Sequence, residues 1–248
     1  MFPDRFNHVP VVFQSKSGAY TAKPFEHVIA TATSANWTLT LPTAPTVNDV
    51  VSVSADSITG GYEITVTGTS NDINLREGSA TSFKLFITND SMDLVYNGTD
   101  WHVIHDGRIS HSCLLRRTAD QTGITSGAWN QVEFNASESD EGGLGDTSTF
   151  KITARRDGIW VMGFFMLYTS YTAGERYLGR ITINGATDVR ISDRIDTGGD
   201  DISITAGVEV AVSDGDDFQV GTYHETGSDK TISGTTANLQ PRFWVMEK

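Results

Sequence analysis

Short stretches of alternating apolar and polar residues, bounded by Gly, Asn and Asp, run through the whole chain. A period of two puts every second side chain on one face, the mark of a half-buried strand. Leu39-Thr40-Leu41 alternates, and Val50, Val51 and Val53 follow the turn residues Asn48 and Asp49. Tyr62, Ile64 and Val66 share a face, as do Phe83, Leu85 and Ile87. Leu94-Val95-Tyr96, then Asn97-Gly98, then Trp101-His102-Val103-Ile104 reads as a hairpin, because Asn-Gly supplies the positive φ of a tight turn. Residues 159–168 (IWVMGFFMLY) are nearly all apolar. The flanking Gly158, the internal Gly163 and the aromatic and β-branched content predict a central strand buried on both faces. Residues 176–183 alternate into Asn184-Gly185, a second hairpin signal, and residues 202–212 place Val208, Val210 and Val212 on one face. Phe218 and Val220 follow Asp214-Gly215, and Phe243-Trp244-Val245-Met246 closes the chain. No stretch has the pattern of an amphipathic helix, so the expected class is all-β.

The segment Asp106-Gly107-Arg108 separates two sets of strands. The expected organisation is an arm over residues 1–18, a small β-barrel or sandwich over 19–108 and a second sandwich over 109–248. In the arm Phe2, Phe6, Val9, Val11, Val12 and Phe13 are apolar, while Pro3, Pro10 and polar residues argue against a regular element. Such an arm either packs on its own domain or anchors the chain to a partner, for example by adding a strand to an exposed edge. No repeat of roughly 20–50 residues is visible, which argues against a solenoid.

Charge narrows the function classes. The 18 Lys and Arg against 31 Asp and Glu give a net charge of −13. Phosphate neutralisation needs the opposite balance, so neither a nucleic acid nor an anionic membrane surface is an expected partner. No apolar run is long enough to cross a bilayer as a helix. The first ten residues lack the apolar core of a signal peptide, and Cys113 is the only cysteine. The expectation is synthesis in a reducing cytoplasm, with no disulfide and no Cys-rich zinc site.

Active-site motifs are missing. There is no Walker loop, no G-x-S-x-G elbow and no H-E-x-x-H. His111 and Cys113 share a strand face, but Leu114 and Leu115 mark an ordinary core cysteine. His102 and His105 fall on opposite faces of a strand and would not chelate one metal, and in a trimer His27 or His224 would serve as well as either for a cation held on the axis, so no ligand is assigned. The acidic stretches 138–146, 196–201 and 214–217 are the candidates for Ca²⁺, which takes several hard oxygen ligands, though none has EF-hand spacing. Asp216 and Asp217 are neighbours and point opposite ways, which does not suit a glycosidase pair. The expectation is a chain that is not an enzyme and has no resident cofactor.

The second half carries an ordered set of motifs. Trp129-Asn130-Gln131-Val132-Glu133-Phe134 is followed by Phe150-Lys151-Ile152 and Asp157-Gly158-Ile159-Trp160-Val161. Then come Arg180-Ile181-Thr182-Ile183-Asn184-Gly185, Asp214-Gly215-Asp216-Asp217-Phe218 and the closing Phe243-Trp244-Val245. In this order they resemble the C1q/TNF-like jelly rolls over residues 111–248. The resemblance implies a ten-stranded sandwich that assembles as a homotrimer by burying aromatics around an axis. Phe165, Tyr168, Tyr171, Tyr177 and Tyr223 are the candidates for that interface. No collagen repeat precedes the domain, which sets it apart from animal C1q proteins.

In the first half, Trp37-Thr38-Leu39-Thr40-Leu41-Pro42 leads into Asn48-Asp49-Val50-Val51-Ser52-Val53, and Leu94-Val95-Tyr96-Asn97-Gly98 leads into Trp101-His102-Val103. These segments resemble small β-domains of tailed-phage head fibres, decoration proteins and tail fibres. Asn48 stands where Gly is usual, and Asn also tolerates positive φ. The resemblance implies a virion protein made in the bacterial cytoplasm and carried on the capsid exterior, where the arm with Phe2, Phe6, Val9, Val11, Val12 and Phe13 docks on the major capsid protein. The alternative is a tail fibre or tip protein that recognises a host cell-surface glycan.

Overall fold

The computed structural model describes residues 11–75, 78–169, 172–195, 201–235 and 240–248, with residue 187 described by its main chain alone. All the regular elements among these residues are strands, so the class is all-β. The chain divides into two compact units, Met1–Ile109 and Ser110–Lys248.

The first unit contains β1 (Val12–Lys16), β2 (Tyr20–Thr21), β3 (Glu26–Ala32), β4 (Trp37–Thr40), β5 (Val50–Ile58), β6 (Ile64–Thr67), β7 (Ile73–Leu75), β8 (Gly78–Ala80), β9 (Ser82–Leu85), β10 (Ser91–Tyr96) and β11 (Trp101–Asp106). They form one sheet in the order β1-β3-β5-β10-β11-β7-β8 and a second in the order β2-β4-β6-β9. The chain winds between the two sheets, so β1, β3 and β5 stack in parallel on one side and β2, β4 and β6 on the other. This short winding was not expected from a chain without repeats. Its steps are unequal, with Val12 beside Glu26 and Glu26 beside Val51, so it leaves no period in the sequence. Alternation along each strand sends Val28, Ala30, Leu39, Val51, Val53, Ile64, Val66, Leu94 and Trp101 into one core.

Residues 12–16 were expected to lie outside any regular element, and here they form β1. Pro10 lies upstream of them and none of them is proline, so the alternate N–H groups that face β3 are all present for pairing. Phe2, Phe6 and Val9 lie outside the described residues. The hairpin of β10 and β11 closes through a four-residue loop rather than a two-residue turn, since Tyr96 pairs with Trp101. The Asn97 side chain accepts the Thr99 and Asp100 N–H groups, and Gly98 takes φ +105°.

Asn48 holds φ +73°, and the loop around it is fastened by Asp49, which accepts the Thr46 N–H at 2.7 Å. This conformation costs a β-branched residue roughly 1–2 kcal/mol. Asn48→Val should therefore lower the melting temperature of this unit while Asn48→Gly leaves it near that of the parent. Equal melting of all three proteins would contradict the assignment.

The second unit contains β12 (Ser112–Arg116), β13 (Gln121–Ile124), β14 (Asn130–Gln131), β15 (Ala136–Glu141), β16 (Gly145–Asp146), β17 (Lys151–Thr153), β18 (Gly158–Thr169), β19 (Arg176–Ile183), β20 (Thr187–Ile195), β21 (Asp201–Val212), β22 (Asp217–His224), β23 (Lys230–Ile232) and β24 (Arg242–Glu247). The front sheet joins β15, β12, β24 and β18, with β21 on the other side of β18 and β23 and β13 at one end. The back sheet runs β16-β17-β22-β19-β20, with β14 added to β22. Pairing is nested: β12 lies beside β24, β17 beside β22, β18 beside β21 and β19 beside β20. A ribbon folded in this way and wrapped into two sheets is a jelly roll. Between the sheets lie Trp160, Met162, Phe164, Met166 and Tyr168 of β18, with Phe243, Val245, Phe218, Val220, Tyr177 and Ile181.

Candidate functional site

Strand alternation decides which side chains the front sheet shows to its outer side. On β18 the even positions from Trp160 to Tyr168 fill the core. The odd positions take the other side: Ile159 is 43% exposed, Val161 and Phe165 are half-buried, and Gly163 and Leu167 are buried. Residues 159–168 thus form the expected central strand, buried on one face throughout and on the other at Gly163 and Leu167, while Ile159, Val161 and Phe165 stay partly open. β24 continues the outer face. Met246 lies beside Val161, Trp244 beside Gly163 and Arg242 beside Phe165. Across β24, Ser112, Leu114 and Arg116 of β12 meet Met246, Trp244 and Arg242 in turn.

The middle of this face is flat for a steric reason. Gly163 and Gly207 pair across β18 and β21. A Cβ on Gly163 would collide with the Trp244 ring, coming within 2.7 Å of Cε2, and would lie 2.8 Å from the Ala206 carbonyl oxygen. The Trp244 indole therefore lies over the Gly163 main chain. The result is an apolar stripe of Ile159, Val161, Phe165, Leu114, Trp244 and Met246. Its margins carry paired charges. Lys248 Nζ donates to Glu209 at 2.9 Å, and Arg242 lies 3.8 Å from Glu138. An apolar centre with a polar rim is the anatomy of a protein interface.

The five aromatics expected at an interface do not meet on one edge. Phe165 lies on the stripe. Tyr168 and Tyr177 are fully enclosed in the core of their own unit, so they are withdrawn from the surface set. Their rings pack edge to face at 5.0 Å, the Tyr168 hydroxyl bonds Thr222 Oγ1, and the Tyr177 hydroxyl accepts the Thr172 N–H. Even-numbered β18 residues face inward, and register places Tyr177 opposite buried His224. Tyr223 lies on the outer side of the back sheet, and Tyr171 is outside the described residues. Ile159, Val161, Leu114, Trp244 and Met246 escaped the sequence reading, although odd-even counting along residues 112–116, 159–168 and 242–247 would have separated them from the core.

The other candidate chemistry is dispersed. Cys113 and His111 are not brought together as a nucleophile and base. Cys113 is buried beside Gly145, and burial, then the Asp140 carboxylate, push its thiol far above the usual range. His111 lies with Nδ1 3.1 Å from Glu247, and Arg156 donates to both Glu247 oxygens at 3.0 and 3.1 Å. His102 Nε2 faces Asn74 and Asn97, His105 is exposed, and His27 meets Ser54. His224 is enclosed, bonding the Ile124 carbonyl at 2.8 Å. In the acidic stretches several carboxylates are engaged by backbone N–H groups, hydroxyls, an amide or a cation. Asp140 accepts the Leu144 and Gly145 N–H groups, and Asp146 accepts from Ser148 and Thr149. Asp216 accepts from Asn184 and Ser213, and Asp217 pairs with Lys151 at 3.0 Å. Residues 196–200 lie outside the described set. Among the described residues no three His, Cys, Asp or Glu side chains converge as metal ligands, nor is any helix long and apolar enough to cross a membrane.

No family model matches the chain, and no curated protein matches it. Solved structures do. The globular domain of zebrafish complement 1qA is 16% identical, covering 55% of this chain and 94% of its own at a TM-score of 0.39. Murine APRIL at pH 5.0 is 10% identical, covering 56% of this chain and 100% of its own at a TM-score of 0.43. The chain is thus similar over about half its length to C1q and TNF-family domains, while the fold stated here rests on its own nested strand pairing.

Proposed function

We propose that this chain is a structural, non-enzymatic protein that associates as a homotrimer through the outer face of its front sheet. The observation that carries this reading is the stripe of Ile159, Val161, Phe165, Leu114, Trp244 and Met246, flattened by Gly163 and edged by ion pairs. Apolar area gathered on one flat sheet gains from being removed from water, at roughly 25 cal/mol per Å² before the cost of association. Three copies are favoured over two by the resemblance to C1q/TNF-like jelly rolls.

The finer reading is a tailed-phage virion protein that decorates the capsid or forms a head fibre. It is supported by the resemblance of the first unit to phage β-domains and by β1, an edge strand on which Val12 and Phe13 are 49% and 66% exposed. A strand that lies at the edge of its sheet among the described residues and carries exposed apolar side chains suits addition to a sheet of the major capsid protein. Gold-tagged antibody against residues 111–248 on intact particles tests the placement. Gold distributed over the head is expected; gold confined to the tail end would transfer the function to host recognition.

A further inference from the structure

The outer side of the back sheet carries a second built feature. Trp129 packs against it, with the Arg180 guanidinium 4.0 Å from its ring centre and the Tyr223 ring 5.6 Å away at a tilt of 45°. Gly221 makes the room. A Cβ there would come within 3.0 Å of Arg180 Nε and 3.5 Å of Trp129 Cε3. A glycine inside a strand marks such a close approach. One face of the indole is thus held by protein, while Trp129 keeps 36% of its surface exposed.

The charges around the ring are paired. Arg180 Nη1 donates to Asp188 at 3.0 Å, Arg176 donates to Asp193 through Nε and Nη2 at 3.0 and 2.7 Å, and the Tyr223 hydroxyl donates to Glu225 at 3.2 Å. Two guanidinium groups face three carboxylates. That balance neither attracts an anion nor leaves an open cation site, but it offers adjoining donors and acceptors. A pyranose complements all of this. Its axial C–H face is weakly positive and apolar and fits the electron-rich face of an aromatic ring, and each rim hydroxyl both donates and accepts. Ile191 and Ile195, 48% and 62% exposed, stand beside Arg180 and Arg176 on the same side and extend the apolar surface around the ring. We infer that Trp129, Tyr223, Arg180 and Arg176 form a binding platform for a neutral glycan.

Saturation-transfer NMR on the full chain tests this, with maltotriose, cellotriose and chitotriose as neutral probes and tri-galacturonate as the acidic one. Transfer to the ring C–H protons of at least one neutral trisaccharide is expected, with an affinity in the millimolar range. Trp129→Ala should weaken it by about tenfold or more, and Trp129→Phe, which keeps a flat ring, should restore part of it. No transfer to any neutral probe, transfer unchanged in Trp129→Ala, or preference for tri-galacturonate would overturn the inference. So would loss of self-association in Trp129→Ala, which would make the patch a protein contact. A monomeric chain that still binds the sugar would refute the trimer and leave the platform standing.

Discussion

Ile159→Glu combined with Met246→Glu is expected to convert the proposed homotrimer into folded monomers. Both side chains are about half-exposed in the single chain, at 43% and 51%, so carboxylates there remain in water when the chain is alone. Assembly on the stripe would bring six added carboxylates near one axis. Lys248, at this end of the sheet, is already engaged by Glu209. Burying unpaired like charges at an interface is costly, and association should weaken by more than about 100-fold, or roughly 2.7 kcal/mol. Sedimentation velocity reads the loss, and circular dichroism confirms retained strand content. A double variant that sediments like the parent at the same concentration would remove this face from the account.

The second large effect concerns the inward side of the same strand. Glu247 closes β24 by accepting two bonds from Arg156 and the His111 main-chain N–H at 3.1 Å, while its own N–H donates to the His111 carbonyl at 2.8 Å. His111 lies against Trp160 in near-parallel stacking. Burial pushes the Glu247 carboxyl up, but the His111 bonds and the Arg156 charge outweigh it, and its pKa falls below the ordinary 4.5. A depressed carboxylate stabilises the fold fully above its unfolded-state value, and that share disappears as pH falls through the lower folded-state value. Acidification below about pH 4.5 should therefore destabilise the second unit. Glu247→Ala leaves a buried guanidinium without its carboxylate and should cost about 3–5 kcal/mol at neutral pH. Urea denaturation as a function of pH checks both, since the variant should lose part of the acid dependence. A parent and variant with parallel pH profiles would contradict this role.

How much of this was legible beforehand depends on the kind of signal. Strands announced by alternation and turn residues, such as Ile64 and Val66 or the Asn184-Gly185 turn with φ of +52° and +68°, follow from local chemistry. Asn48 in the left-handed region is the same case. The winding of the first unit was hidden, because parallel stacking of β1, β3 and β5 is a long-range property and its unequal steps leave no repeat. The interface aromatics were misplaced because residue type says nothing about facing. Tyr168 and Trp244 are equally plausible in composition, yet register sends the first to the core and the second outward. Trp129 was obscured likewise. Trp37, Trp101 and Trp160 are core residues, and only the packing over Gly221 shows that Trp129 is not.

The outer face of the front sheet is proposed to hold three copies together. Native mass spectrometry of the full chain at micromolar concentration tests it most directly. The account predicts a dominant species of three times the mass of one chain, which collapses to single chains with Ile159→Glu and Met246→Glu. A parent protein that is itself a single chain under these conditions would contradict it.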